Sequence, residues 1–341
     1  MSAVALVETT RALPDAQGTV ENVHYGAIAV VDTSGRVRYS AGNPEQVSFT
    51  RSALKPFQAL PFLRARGHEH FALTPPELAL LCSSHSGEEH HVSGVARLLA
   101  RIGCSESDLR CGAHVPLYYA AVGATPPADA SWNQLHNNCS GKHSGFLAWC
   151  CLLHASRADY LDPGHPLQVA IRGCVGELTG TAEDAMPCGI DGCSAPNYAL
   201  PLARLAHLYA RLARDAHAAR DGEALGVLFD AMTGHPDLVS GEGRTDLAYM
   251  RVGRGDWVTK AGADGVQAFG SRSAGLGVAL KIWDGTPRAL HAAFVSTLRQ
   301  LGLLEGRDTA LLAAWSDPLI RNHRGLVTGQ VRANFRLERH N

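Results

Sequence analysis

Apolar positions near the start of the chain come in short runs of strand length. Val4-Ala5-Leu6-Val7 is one such run and His24 to Val31 is a richer one. Asp32-Thr33-Ser34-Gly35 is a turn signal, and Val37-Arg38-Tyr39-Ser40 follows it. The pattern therefore predicts a hairpin, ended by Gly42-Asn43-Pro44. From Ser52 the spacing becomes mostly helical. Ala53 to Arg66 is a candidate helix, with Pro56 tolerated near its start and a kink expected at Pro61. Thr74-Pro75-Pro76-Glu77 opens another with a capping-type start, and Glu88 to Ile102 is a third, stopped by Gly103. Gly145 to Ala155, Pro166 to Leu178 and Leu200 to Ala219 complete the helical set. Leu200, Ala203, Leu205, Leu208 and Leu212 recur at helical spacing and read as a core-facing stripe. After about Pro236 the signal returns to strands: Asp256 to Lys260, Val266 to Phe269, and Leu276 to Trp283 before Asp284-Gly285. Pro287 to Leu303 is an amphipathic helix, and Gly325 to Leu337 alternates like an edge strand.

Strands at both ends with helices between them predict an α/β (α+β) protein. The two ends share one mostly antiparallel sheet covered by helices, and the middle is a helical region. The expected layout is a discontinuous sheet-containing part, residues 1–51 and 236–341, and a mostly helical part, residues 52–235, acting together as one compact unit.

Composition narrows the class. A chain of 341 residues has ample core, and 45% hydrophobic with 18% charged residues fits a soluble globular protein. A net charge of −1 offers no basic field for nucleic acid or an anionic membrane. Met1 to Thr10 has no basic region and no long apolar run, and no stretch is long enough to span a bilayer. The expectation is a cytoplasmic protein without a signal peptide. Nine cysteines at irregular spacing are too sparse for a secreted disulfide framework, so thiols or metal ligands are expected.

Lysine usage singles out the chemistry. The 31 lysines and arginines include only four lysines, Lys55, Lys142, Lys260 and Lys281. Arginine is the general-purpose cation here and cannot act as a base, so each lysine invites a question. Lys55 stands in Ser52-x-x-Lys55, where a helical turn brings the amine to the same face as the hydroxyl. A neutral lysine in an apolar setting, here Leu54, Phe57 and Leu60 with Arg51 adjacent, can take the proton of a serine nucleophile. The plain alternative is a capping serine followed by a surface lysine. Further on come Ser83-Ser84-His85-Ser86-Gly87-Glu88 and then Lys260-Ala261-Gly262. Serine β-lactamases and penicillin-binding proteins carry S-x-x-K, a second serine motif and K-T-G in this order. Ser84 with Lys260 would then be a second pair, moving a proton to the leaving amine.

A second cluster is His136-Asn137-Asn138-Cys139-Ser140-Gly141-Lys142-His143, with Cys188-Gly189-Ile190-Asp191-Gly192-Cys193. Two thiolates from separate polar, glycine-containing loops, with histidine, aspartate or neutral lysine nearby, are a zinc-type donor set. Cys139 as a nucleophile, with His136 or His143 as base, is the alternative. Cys82, Cys104, Cys111, Cys150, Cys151 and Cys174 read as small buried hydrophobes. His85, His90, His91, His114 and His136 lie near the motifs.

Together, Arg51-Ser52-Ala53-Leu54-Lys55-Pro56-Phe57-Gln58, Ser83 to Glu88, Cys111-Gly112, His136 to His143, Cys188 to Pro196 and Lys260-Ala261-Gly262 resemble the rhizobial-type (class 3) L-asparaginases, the asparaginase II family. The resemblance runs from about His24 to Phe335, and the Asn138-Cys139-Ser140-Gly141-Lys142-His143 run is its most specific part. It implies hydrolysis of L-asparagine to L-aspartate and ammonia, a serine-β-lactamase-like fold and a homodimer. By residue match it implies two catalytic pairs, Ser52 with Lys55 and Ser84 with Lys260. It also implies zinc on Cys139, Lys142 and Cys193 with a water, and Asp191 beside metal and substrate. Arg51, His85 and Asn138 fall in matching motifs as substrate-binding candidates. Rival readings are a glutaminase or penicillin-recognising hydrolase of the same fold, and a non-catalytic amino-acid-binding or zinc-storage protein.

Overall fold

Strand formation at the termini follows from their β-branched, alternating sequences. The computed structural model describes residues 3–13, 18–214 and 221–341. These fall into two units. The first comprises Met1–Ser48, Leu200–Ala210 and Thr259–Asn341, and the second Phe49–Ala199 and Arg211–Val258.

The first unit is built on the long strand Thr19–Asp32. Its first half pairs antiparallel with Val4–Arg11. Its second half carries Val37–Ala41 on one edge and Leu276–Ile282 on the other, both antiparallel. Ala27 to Val31 are almost wholly buried in sequence, which requires cover on both faces of the sheet. Val266–Ser271 extends the sheet beside Leu276–Ile282, and Trp257–Gly262 follows it. The helix Pro287–Gln300 packs on the sheet. Gly277 admits the helix Leu202–Arg214, because a Cβ there would lie 1.9 Å from the Ala206 carbonyl oxygen. Val327–Ala333 is not an edge strand as its alternation suggested. It lies between Val4–Arg11 and the short strand Leu319–Arg321, which sequence reading missed.

The second unit is mostly helical, with a small sheet in which Cys188–Ile190 pairs antiparallel with Pro196–Pro201. Thr74 and Glu77 form the expected capping box before the helix Pro75–Leu81, with the Thr74 N–H donating to Glu77 Oε2 at 2.8 Å. The candidate helix Ala53 to Arg66 is broken into a 3-10 turn, Arg51–Leu54, and two short helices, Lys55–Gln58 and Leu60–Arg64. Pro61 has no N–H for the carbonyl four residues back, so the join falls just before it, at Ala59. The helix expected at Gly145 begins five residues earlier, as Ser140–Leu152. Leu200 lies on the strand Pro196–Pro201, and the helix after it is Leu202–Arg214; residues 215–219 of the expected helix lie outside the described residues. Two helices, Pro236–Val239 and Thr245–Gly253, occupy the region where strands were expected to resume. The structure is thus mixed α/β with an antiparallel sheet.

Candidate functional site

The first motif sits on a turn that the backbone resists. Arg51 has φ 49°, in the left-handed region that a side chain disfavours. Asn197 holds it from both sides: Oδ1 accepts the Arg51 N–H at 3.0 Å, and Nδ2 donates to the Arg51 carbonyl at 3.1 Å. The Arg51 side chain turns to Asp191, with Nε donating to Oδ1 at 2.8 Å. Asp191 and Cys193 share the turn between the paired strands Cys188–Ile190 and Pro196–Pro201. That turn is closed by Ser194 N–H to the Asp191 carbonyl, 2.8 Å, and Asp191 N–H to the Ala195 carbonyl, 2.9 Å. Two substrate-binding candidates thus meet as an ion pair.

Ser52 follows, half-buried, and Lys55 is completely buried. Lys55 Nζ donates to the Ser83 carbonyl at 2.5 Å and to Ser84 Oγ at 2.8 Å. Of the two serines, Ser84 takes the lysine's hydrogen bond, and Ser52 does not. The 83–84 turn offers a carbonyl and a hydroxyl together, and a buried amine settles where more of its donors are satisfied. Burial pushes the Lys55 pKa down. Lys260, also completely buried, lies on the strand Trp257–Gly262 in the first unit, and its Nζ donates to the Ala261 carbonyl at 3.0 Å.

All four lysines are in fact buried, none more than 8% exposed. Lys281 is the structural one: it bonds the Asp264 carbonyl and lies 5.7 Å from the Trp283 ring centroid.

The cysteine cluster sits at a helix start rather than in a loop. Asn137 Oδ1 accepts the Cys139 N–H at 2.8 Å, while its Nδ2 ties back to the Cys111 carbonyl at 2.8 Å and the Gly112 carbonyl at 3.0 Å. Lys142 then falls in the first turn, and its Nζ donates to Cys193 Sγ at 2.9 Å. The hydrogen bond from the Cys139 thiol, then the Lys142 ammonium, hold Cys193 as a thiolate far below the usual thiol range, against the opposing effect of burial. That same bond, with burial, raises the Cys139 thiol well above its usual range. Burial works against the charge on Lys142, but the Cys193 thiolate outweighs it and lifts the amine above its normal value. His143, buried beside them, bonds Tyr160 OH through Nδ1 at 2.7 Å. With the Lys142 ammonium and Cys139 thiol protons displaced by the metal, two sulfurs and one amine nitrogen gathered out of water fit a zinc donor set. Of the cysteines expected to be plain hydrophobes, Cys151 is half-buried and the other five are buried.

Gly141 lets this helix reach the serine turn. A Cβ there would lie 2.2 Å from the Leu80 carbonyl oxygen and 2.9 Å from Ser83 Oγ. Because the first contact is rigid backbone, Gly141→Ala is expected to destabilise the protein by about 2–4 kcal/mol, read by urea denaturation. An unchanged midpoint would mean that the helix can shift without loss.

His85 is held by the protein at both ring nitrogens. Nδ1 accepts the Gly87 N–H at 3.1 Å, which places the proton on Nε2, and Nε2 donates to Ser140 Oγ at 2.8 Å. Ser140 Oγ in turn donates to the Leu135 carbonyl at 2.9 Å. Burial, then the charges of its neighbours, keeps this ring well below the usual imidazole pKa. Asn138, half-buried, gives its N–H to His114 Nε2 at 3.1 Å.

Glu88, His90 and His91 bring three potential ligand atoms within 4.8 Å of one another. His91 is already engaged: Nδ1 accepts the Glu88 N–H at 3.3 Å and Nε2 donates to the Asp237 carbonyl at 2.8 Å. Burial lowers its pKa to about 4. The unfolded chain, near ~6.5, takes a proton first, so the stability due to His91 is present above about pH 6.5 and is lost as pH falls towards 4, by up to ~3 kcal/mol. Urea denaturation across that window should show the loss, and His91→Gln should flatten it. An unflattened slope would assign it to other groups.

Sequence reading missed Arg244, which donates from Nη1 to the Ser84 carbonyl at 2.8 Å. The segment before it presses on the serine motif. A Cβ on Gly241, at φ 141°, would lie 2.3 Å from Ser86 Oγ, and the Ser84 N–H donates to the Val239 carbonyl at 2.9 Å. The Gly241-Glu242-Gly243-Arg244 spacing was the available signal.

The family described as L-asparaginase II matches residues 7–333. Comparison with curated proteins gives no match. Among solved structures, the chain is similar to "Mglu in its native form" at 15% identity and a TM-score of 0.47, over 83% of this chain and 67% of that one.

Proposed function

The chain belongs to the L-asparaginase II family and is an asparaginase-type amidohydrolase; on that premise we propose that it hydrolyses the side-chain amide of L-asparagine to L-aspartate and ammonia by a Ser–Lys mechanism, on a serine-β-lactamase-like fold. The observation that carries the reading is the completely buried Lys55 amine bonded to Ser84 Oγ at 2.8 Å. A binding protein has no need of a desolvated amine against a hydroxyl, whereas a base does.

In the proposed route Ser52 Oγ attacks the amide carbon as neutral Lys55 takes its proton. The carbonyl electron pair moves to oxygen, which backbone N–H groups near Ser52 would stabilise. Lys55 returns the proton through Ser84 Oγ to the amide nitrogen. The C–N bond breaks, ammonia leaves, and an aspartyl ester remains on Ser52. Water, losing its proton along the same relay, releases aspartate. The hydrogen bond from Lys55 to Ser84 Oγ supports this proton path.

Arg51 and Asp191 offer a cation and an anion for the α-carboxylate and α-ammonium of the substrate. His85 and Asn138, both bonded within the protein, hold the loops that shape the site. Cys139, Lys142 and Cys193 would hold zinc, which when bound supplies fixed positive charge that orients the substrate. A cytoplasmic homodimer completes the proposal. Among the described residues no helix is long and apolar enough to cross a membrane.

The test is ammonia release from L-asparagine against L-glutamine by the purified protein. Strong release from asparagine and weak release from glutamine is expected. Release from neither, by folded zinc-loaded protein, would overturn the assignment.

A further inference from the structure

We propose that the cavity of about 410 Å³ beside the start of the helix Glu89–Arg101 is a binding site for a small organic cation with a quaternary or protonated amine head. The proposal does not depend on the amidohydrolase reading.

Its wall is a chain of rings set at steep angles. Tyr118 and Tyr119 have centroids 5.6 Å apart at 73°, Tyr119 and Trp132 5.8 Å at 52°, and Trp132 and His136 5.1 Å at 65°. All four side chains are half-buried. They come from two separate stretches of chain, the helix Leu117–Val122 and the segment leading into the 3-10 turn Gln134–His136. Steeply inclined rings present several π faces to one volume, which is how aromatic side chains enclose an ammonium group.

The charge of the lining agrees. Glu88 and Glu89 contribute carboxylates, and no lysine or arginine lines the cavity. Glu88 is fixed in place, with Oε1 accepting the Glu242 N–H at 3.3 Å. Glu89 is exposed, and among the described residues its carboxylate makes no hydrogen bond or ion pair, so its charge is available to a ligand. Aromatic faces alone would accept any apolar group. Aromatic faces with two carboxylates and no opposing cation favour a positive one. A bare metal ion fits less well, because both nitrogens of His91, the nearest buried imidazole, are already bonded.

The test compares choline with its uncharged isostere, 3,3-dimethylbutan-1-ol, by ligand-observed NMR titration of the full-length protein at about pH 8, where imidazoles are ordinarily neutral. Choline is expected to bind saturably and about tenfold or more tighter than the alcohol. Glu89→Gln should weaken choline several-fold and leave the alcohol unchanged. Trp132→Leu should weaken both. Circular dichroism confirms that each variant is folded, and the exposure of Glu89 makes its substitution safe for folding. Equal affinity for the two ligands, choline binding unchanged in both variants, or no saturable binding would each overturn the proposal.

Discussion

Ser52→Ala is expected to lower kcat for L-asparagine by at least ~10³-fold while leaving the fold intact, since removing the nucleophile of a hydrolase leaves only the binding and oxyanion contributions. The side chain is small and half-buried, and among the described residues its hydroxyl makes no hydrogen bond, so alanine disturbs little. What alanine removes is the oxygen that forms the ester. KM should change far less than kcat, because Arg51 and Asp191 remain to hold the substrate. A variant with near-wild-type turnover would show that Ser52 is not the attacking group and would leave Ser84, already bonded to Lys55, as the first candidate.

The second large effect is at Lys55. Both Lys55→Met and Lys55→Arg are expected to fall to about the activity of Ser52→Ala. The double variant Ser52→Ala/Lys55→Met should be little worse than either single one, because residues that act as a unit are not additive. Arginine is the informative substitution. It keeps the positive charge and donors but cannot give up its proton, so it fails if Lys55 is a base. Since the site is completely buried, the folded state of Lys55→Arg must be checked by thermal unfolding. A folded Lys55→Arg enzyme with substantial turnover would show that the site needs a charge and not a base.

Much of this site was legible before folding, for reasons that can be traced to particular residues. A chain that uses arginine almost everywhere retains lysine where an amine is buried, and Lys55, Lys142, Lys260 and Lys281 are all inside. The separate loops carrying Cys139 and Cys193 do meet, through Lys142. Local spacing failed where the partner comes from another part of the chain. It offered Ser52 with Lys55, but gave no sign of the bond from Lys55 to Ser84, 29 residues away in sequence. It also placed the helix start at Gly145. Ser140, Gly141 and Lys142 look like loop residues until the Leu80 carbonyl is seen to occupy the space that a side chain at 141 would fill. The strands Cys188–Ile190 and Pro196–Pro201 were invisible because one is three residues long and the other begins and ends in proline. Their pairing depends on the tight Asp191–Ala195 turn. Arg244 could not be picked out among so many arginines without the two glycines before it being read as a close approach to the serine motif. The antiparallel character of the sheet came through, since it rests on alternation within each strand. The edge position of Val327–Ala333 did not, because Leu319–Arg321 is too short to register.

The most direct test of the central claim uses 5-diazo-4-oxo-L-norvaline, an asparagine analogue whose electrophilic head stands in place of the side-chain amide and captures the attacking group. Peptide mapping by mass spectrometry after inactivation locates it. The account predicts loss of activity in step with one label per chain, carried by the peptide and then the side chain of Ser52. A label on Ser84 or Cys139, or an enzyme that loses activity with no covalent label, would contradict it.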